Sequence, residues 1–242
     1  MMGDVIIETI GLTKKFRGVS AVHKLDLEIH QGEIFGFLGP NASGKTTTTN
    51  MLLGLVKPSA GRIKLFGEDV ENNYPFILPR VGAVLDTPAF YPYLSGEDNL
   101  KIFSRIAEHS DDKIIGEVLE TTGLIGREKD KVREYSLGMK QRLAMALSLL
   151  NNPELIIFDE PTNGLDPFGM IEVRTLIRNL SNQGKTIFLS SHLLHEVEQV
   201  CTNVALINKG NIIAKGAVKE LLRNANKDSL EGFFLSVIDK GK

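Results

Sequence analysis

The chain of 242 residues is poor in the features that mark secreted, membrane-spanning or nucleic-acid-coating proteins. It has a single cysteine, Cys201, so no disulfide can close within it. That fits a reducing compartment, and Cys201 reads as a small buried apolar residue. No stretch approaches the roughly 18 consecutive apolar residues of a membrane-spanning helix. The densest, residues 143–150, is short and contains Ser148, so the chain is not expected to cross a bilayer by itself. Residues 1–10 carry Asp4 and Glu8 and no long apolar run, which argues against a secretory signal. A formal net charge of -2 gives no broad field to attract nucleic acid. Internal repeats and low-complexity segments are absent. What remains is ordinary globular composition, 42% hydrophobic and 24% charged, at a length that suits one domain with a subdomain.

Short apolar runs punctuate the chain: Ile34-Phe35-Gly36-Phe37-Leu38, Leu155-Ile156-Ile157-Phe158 and Thr186-Ile187-Phe188-Leu189. Runs of this kind read as strands buried on both faces of a parallel sheet. Helical spacing separates them, as in residues 171–180, where apolar side chains fall at 171, 173, 176, 177 and 180. The alternation predicts an α/β fold. Two regions depart from it. Residues 5–31 alternate apolar and polar, as in Leu25-Asp26-Leu27-Glu28-Ile29, and predict antiparallel strands with one wet face. Residues 95–150 carry helical patterns without clear strands and read as a helical insert. Residues 204–207 and 212–214, joined by Asn208-Lys209-Gly210-Asn211, predict a hairpin. Residues 217–242 read as a helix and a weakly specified tail.

Gly39-Pro40-Asn41-Ala42-Ser43-Gly44-Lys45-Thr46 fits G-x-x-x-x-G-K-[ST], with an apolar strand before it and a helical pattern (Met51, Leu52, Leu55) after it. Gly39 and Gly44 allow a turn whose N–H groups point inward at phosphate oxygens. The helix start near Lys45 adds its positive end. Lys45 supplies an ammonium for the β- and γ-phosphates, the Thr46 hydroxyl a magnesium ligand, and Thr47 a further phosphate contact. Thr46 to Thr49 are poor helix formers, so packing must hold that turn. Downstream, Leu155-Ile156-Ile157-Phe158 ends in Asp159-Glu160. An acid at such a strand end holds magnesium in P-loop nucleotidases. Asp159 fits that role, and Glu160 can accept a proton from, or orient, the water that attacks the γ-phosphate.

With Tyr135-Ser136-Leu137-Gly138-Met139-Lys140-Gln141-Arg142 just upstream of that acidic strand, the chain resembles the ATP-binding cassette (ABC) family. Ser136 and Gly138 match the L-S-G-G-Q signature, while Tyr135, Leu137 and Met139 depart from its commonest spelling. The order of all the motifs carries the resemblance, which covers about residues 5–222. It implies a RecA-like P-loop NTPase core with a parallel sheet and an N-terminal antiparallel β subdomain. A helical subdomain is implied at about residues 88–148, and residues 223–242 are left as a C-terminal tail or helix.

The resemblance also assigns roles. Phe16 matches the aromatic that stacks on adenine. Asp86 stands where the family usually has glutamine, which implies a part in sensing magnesium or the attacking water and marks it as a catalytic and metal-binding candidate. Asp166, in Asn163-Gly164-Leu165-Asp166, matches the acid of the loop that crosses to the partner. His192 matches the switch histidine at the γ-phosphate. Two subunits are implied to sit head to tail around ATP and Mg2+, with Ser136 and the Gly138 N–H reaching the γ-phosphate across the interface. The second subunit is expected to be an identical chain.

A separate integral membrane permease is implied as partner, with this chain peripheral at the inner face of the cell membrane and nucleic acid not bound. Pro88-Ala89-Phe90-Tyr91-Pro92-Tyr93-Leu94 and the Asp86 loop are the expected dock. The signature spelling, the Asp86 loop and Leu230-Glu231-Gly232-Phe233-Phe234 resemble bacterial or archaeal exporter ATPases for antibiotic, bacteriocin-immunity or multidrug export. Many importer ATPases add a long C-terminal regulatory domain, for which this length leaves no room, so export is the expectation. The alternative is a soluble family member in translation or DNA repair. Those usually carry two cassettes or a long coiled coil, and neither pattern is present. Asn208-Lys209-Gly210-Asn211 lacks the last acid of the guanine motif N-K-x-D and reads as a hairpin turn.

Overall fold

The computed structural model describes residues 3–85, 89–106 and 112–239. The chain opens with β1 (Val5–Phe16) and β2 (Val19–His30), an antiparallel pair. On β2, Val22, Leu25, Leu27 and Ile29 are buried while Lys24, Asp26 and Glu28 are exposed, the alternation expected of a half-wet strand. Then come β3 (Ile34–Leu38), α1 (Lys45–Leu52), β4 (Ala60–Leu65), β5 (Glu68–Asp69), α2 (Val70–Ile77) and β6 (Val81–Val84). Strands β2-β1-β4-β5, in that order, form a four-stranded antiparallel sheet.

Between β6 and β7 (Leu155–Asp159) the described residues form α3 (Gly96–Ile106), α4 (Asp112–Thr121), α5 (Leu137–Leu149) and a short turn of 3-10 helix, with no strand among them. The chain continues through α6 (Pro167–Asn182), β8 (Thr186–Ser191), α7 (Leu194–Glu198), β9 (Asn203–Asn208) and β10 (Asn211–Ala217). The second sheet has six strands in the order β10-β9-β3-β8-β7-β6. All its pairs are parallel except the β9–β10 hairpin.

Every residue of β3, β7 and β8 is buried, which explains why their sequences show no polar alternation. Successive side chains point to opposite faces and feed two cores. Phe35, Phe37, Leu155, Ile157 and Phe188 join the antiparallel sheet, α1 and α2. Ile34, Leu38, Ile156, Phe158, Ile187 and Leu189 join the helices from α3 to α6. Phe35 stacks on Phe188 at 6.1 Å between ring centroids. Cys201 is buried among apolar side chains, and burial pushes its thiol well above the ordinary range, so it stays protonated there.

Two details differ from the sequence reading. The helix after the phosphate loop ends at Leu52, because Gly54 takes φ 68 and leaves Leu55 exposed. The C-terminal segment is two helices, α8 (Val218–Ala225) and α9 (Leu230–Asp239). α8 stops at Asn226 in the left-handed region, and Leu230 and Phe233 of α9 are buried in the main core. Helices this short have little stability of their own, so local sequence marks them weakly and tertiary packing forms them.

Candidate active site

The phosphate loop leaves the C-terminal end of β3, between β8 and β9, where ligands sit in open α/β sheets. Its backbone takes the left-handed region at Gly44, as expected, and also at Ala42, whereas Gly39 does not. Ala42 and Gly44 have φ 62 and 112, and a Cβ at Gly44 would sit 2.6 Å from the Ala21 carbonyl oxygen, so only glycine fits. Gly44 is also the N-cap of α1 and contributes no side-chain bond. The N–H groups of Lys45, Thr46 and Thr47 lie in the first turn, where a helix has no internal acceptor for them. The threonine-rich turn is held from below: Thr48 and Thr49 are fully buried, and their hydroxyls donate to the carbonyls of Gly44 at 2.9 Å and Lys45 at 3.2 Å. The buried Ser43 Oγ has no hydrogen-bond partner, an orphaned donor within the loop.

Lys45 is only 5% exposed. Its Nζ donates to the carbonyls of Gly39 at 2.9 Å and Pro40 at 3.2 Å and pairs with Glu160 Oε1 at 3.2 Å. The other oxygen of Glu160, Oε2, lies 2.7 Å from His192 Nδ1 and accepts the His192 backbone N–H at 3.2 Å. Lys45, Glu160 and His192 therefore form one connected chain of contacts from loop to acidic strand to the end of β8. Glu160 itself sits at φ 51, the left-handed region that a side chain enters at a cost. Its N–H is shared between the carbonyl and the hydroxyl of Ser190, at 3.1 and 3.2 Å. Asp159 is buried and accepts a hydrogen bond from Ser190 Oγ.

A cleft of about 530 Å³ lies over this chain of contacts, lined by Phe16, Asn41, Ala42, Gly44, Lys45, Thr46, Thr47, Glu160, Asn163 and His192, with Ala21 completing the wall. Gly39, Pro40 and Ser43 do not line it; Gly39 and Ser43 are buried and Pro40 is exposed. Phe16 is half exposed at its edge, with Lys14 Nζ 5.0 Å from the ring centroid. Asp159 lies at the same end of the sheet: it pairs in register with Ser190, and Ser190 with Phe37, one residue before β3 runs out at Leu38. Asn163 and Ser190 were not singled out by sequence. Asn163 follows Glu160 by one turn, its N–H bonded to the Glu160 carbonyl at 3.0 Å. Ser190 is a polar residue at the end of an otherwise apolar strand, a signal that only the register makes legible. Asp86, Thr87 and Pro88 lie outside the described residues.

Ser136 and Gly138 are not part of this cleft. They start α5, where Ser136 is the N-cap and its Oγ accepts from Met139 N at 3.2 Å. The departures from the commonest signature have local causes. Tyr135 is buried, and its hydroxyl donates to the Arg127 carbonyl at 2.8 Å. A Cβ at Gly96 would collide with that hydroxyl, so the two residues are matched. Met139 is buried beneath the helix, whereas Leu137 is exposed. Arg142 ties α5 to the end of α4 through the Gly123 carbonyl at 2.8 Å. Asp166 caps α6, its Oδ1 accepting from Gly169 N at 2.9 Å. The Lys209-Gly210 turn has φ 46 and 77 and joins β9 to β10 as a tight hairpin, which disposes of a guanine motif there.

Comparison with known proteins agrees with this architecture. The family profile described as ABC transporter matches residues 22–163. The bacitracin transport ATP-binding protein BcrA of Bacillus licheniformis is 47% identical over 211 residues, 87% of this chain and 69% of that protein. The Nod factor export ATP-binding protein I of Cupriavidus metallidurans is 39% identical over 220 residues, 90% of this chain and 73% of that one. Among solved structures, cbiO1 from Clostridium perfringens, part of the ABC transporter complex cbiONQ, superposes with a TM-score of 0.83 at 27% identity, covering 91% of each chain. Phosphate loop, acidic strand end and signature thus stand in one chain whose relatives carry the same cassette: it belongs to the ABC transporter family, among its ATP-binding, ATP-hydrolysing subunits.

Proposed function

We propose that this chain works as one of two identical ATPase subunits that close head to tail around ATP and Mg2+ and drive a separate membrane permease in export. One observation carries the reading: Lys45, Glu160 and His192 are joined in a single cleft above the phosphate loop, while Ser136 and Gly138 stand outside it. A single chain therefore offers the grip on the nucleotide without the signature, and a second copy supplies it. The cassette spans residues 5–222, with the helical subdomain at about 88–148 and residues 223–242 as a C-terminal appendage.

In this reading the N–H groups at the start of α1, the Gly44 turn and Lys45 hold the phosphates, and Phe16 stacks on adenine. An entering triphosphate takes Lys45 from Glu160, and the freed carboxylate accepts the proton of the attacking water. His192 holds the other carboxylate oxygen and contacts the γ-phosphate. Across the interface Ser136 still has its hydroxyl proton to donate, because toward Met139 it acts as an acceptor. The Thr46 hydroxyl and the Asp159 carboxylate are hard oxygen donors at the same end of the sheet. Among the described residues no group of three or more His, Cys, Asp or Glu is gathered to hold a metal. Such a sparse set suits Mg2+, which keeps several waters and takes further oxygens from substrate phosphates. When bound, Mg2+ neutralises charge developing on those oxygens.

Asp86 and its loop couple the site to the permease. No helix of the described residues is long and apolar enough to cross a membrane. A peripheral place at the inner membrane face, beside the permease, follows from that partnership. The export assignment draws on the printed functions of relatives, bacitracin transport and Nod factor export. The test is twofold. The purified chain should hydrolyse ATP only with Mg2+, and Lys45→Ala should lose that activity. Affinity capture from native membranes should recover an integral membrane protein. Ribosomes or DNA in its place would overturn the transport role and leave the ATPase standing.

A further inference from the structure

We propose that Ser190 is a positioning residue that sets both carboxylates of the acidic strand end, fixing Asp159 for the metal and Glu160 for the attacking water. The inference rests on the ATPase reading above but concerns a residue that no sequence motif assigns.

Three observations converge on its hydroxyl. Ser190 is wholly buried, so solvent cannot compete for its hydrogen bonds. Its Oγ donates its one proton to Asp159 Oδ1, and the same oxygen accepts the Glu160 backbone N–H at 3.2 Å. A serine hydroxyl has a single proton to give, so these two contacts fix the polarity of the whole arrangement. Third, Glu160 occupies φ 51, a conformation that persists only where its surroundings over-determine it. The Ser190 carbonyl at 3.1 Å and the hydroxyl together receive the one N–H that must be anchored to keep Glu160 in that turn. The parallel register delivers this without any loop: Asp159 and Ser190 are direct partners on β7 and β8. One side chain thereby couples the direction of the Asp159 carboxylate to the place of the Glu160 side chain, which in turn meets Lys45 and His192. Outer hydrogen-bond partners of metal-ligating carboxylates are worth about 10–100-fold in metal affinity or activity.

The experiment uses the purified full chain with three substitutions, Ser190→Ala, Ser190→Thr and Ser190→Cys. Affinity of the ADP complex for Mn2+, a paramagnetic stand-in for Mg2+, is read by electron paramagnetic resonance. Affinity for ADP alone is measured in EDTA, and kcat under saturating Mg-ATP. Ser190→Ala should lower Mn2+ affinity and kcat each by about 10–100-fold and leave metal-free ADP affinity at the parental level. Thr, which keeps the hydroxyl, should restore both to within about 3-fold, and Cys, a weak donor, should fall between. Parental Mn2+ affinity and kcat in Ser190→Ala would overturn the proposal. So would an equal loss of metal-free ADP binding, which would mark a purely structural role. If Ser190→Ala fails to fold, the Thr and Cys chains decide: equal behaviour of the two sinks the idea. Failure of the ATPase reading looks different, since the parental chain itself would then not turn over Mg-ATP.

Discussion

Two helices of this chain begin at glycine- or serine-marked turns and are finished in opposite ways. α1 starts at Gly44, which is in the left-handed region and caps nothing with a side chain. Its first-turn N–H groups stay bare, and the cation beside them, Lys45, is buried against the loop's own carbonyls and Glu160. α5 starts at Ser136, whose hydroxyl already accepts the Met139 N–H. Its approach is braced by the buried Tyr135, and Arg142 within the helix donates to the Gly123 carbonyl. On the proposed reading, the helix start that takes the triphosphate leaves its donors open and accepts a strained turn to do so. The one that would complete a partner's site satisfies itself first and keeps a hydroxyl proton in reserve. The comparison predicts that damage at α1 weakens nucleotide binding by a single chain, while damage at α5 leaves that binding alone and lowers turnover only when two chains act together.

Glu160→Gln is the strongest test of the α1 side. The amide cannot take the proton, so kcat should fall by about 100–10,000-fold. Nucleotide affinity should hold or rise, because the variant no longer competes for Lys45 as an ion-pair partner. An ATP-dependent dimer should then persist in size exclusion. Parental turnover would remove Glu160 from its role. Lys45→Ala should weaken ATP binding to the isolated chain by about 10–100-fold, the scale of hydrogen bonds to charged groups, measured by calorimetry at low protein concentration where chains stay apart. The loss is moderated because Lys45 must give up its contacts with the Gly39 and Pro40 carbonyls and Glu160 when the nucleotide enters.

Ser136→Ala tests the other side. Losing an N-cap costs about 1 kcal/mol of stability, read as a lower midpoint in urea. Removing a donor to a phosphate should reduce cooperative turnover by about 10-fold. The ATP affinity of the isolated chain should not move. If it falls as in Lys45→Ala, α5 belongs to the same chain's cleft and the contrast between the two helices fails.

The two ends also differ in how far sequence alone could be read. The shape of the phosphate loop was legible because it is local: a strand before, a helix after and glycine at the positive φ of Gly44, though not the positive φ of Ala42. The buried strands were legible for the same reason, as unbroken apolar runs. Ser190 was not, because its meaning comes from register between strands about 30 residues apart. The tail was read as weakly specified because the apolar side chains that fix α9, Leu230 and Phe233, find their partners in distant elements. Tyr135 looked like a departure from a motif. Its fit became visible only when Gly96, far away in sequence, was found to leave room for its hydroxyl.

That last pair gives the smallest and most specific prediction. Tyr135→Phe keeps the ring and the volume but removes the hydrogen bond to the Arg127 carbonyl, so it should cost about 1 kcal/mol at neutral pH. Burial raises the Tyr135 pKa above its ordinary value of 10.0. The folded chain therefore holds this proton at a pH where the unfolded chain has released it. The stabilisation is complete below pH 10.0 and is lost as pH rises through the folded value. The parental chain should lose stability over that alkaline range faster than Tyr135→Phe, and the gap between the two should narrow as pH climbs. Urea midpoints at pH 8 and in the alkaline range decide it; parallel curves would mean that the hydroxyl is not held as described and that α5 is braced by packing of the ring alone.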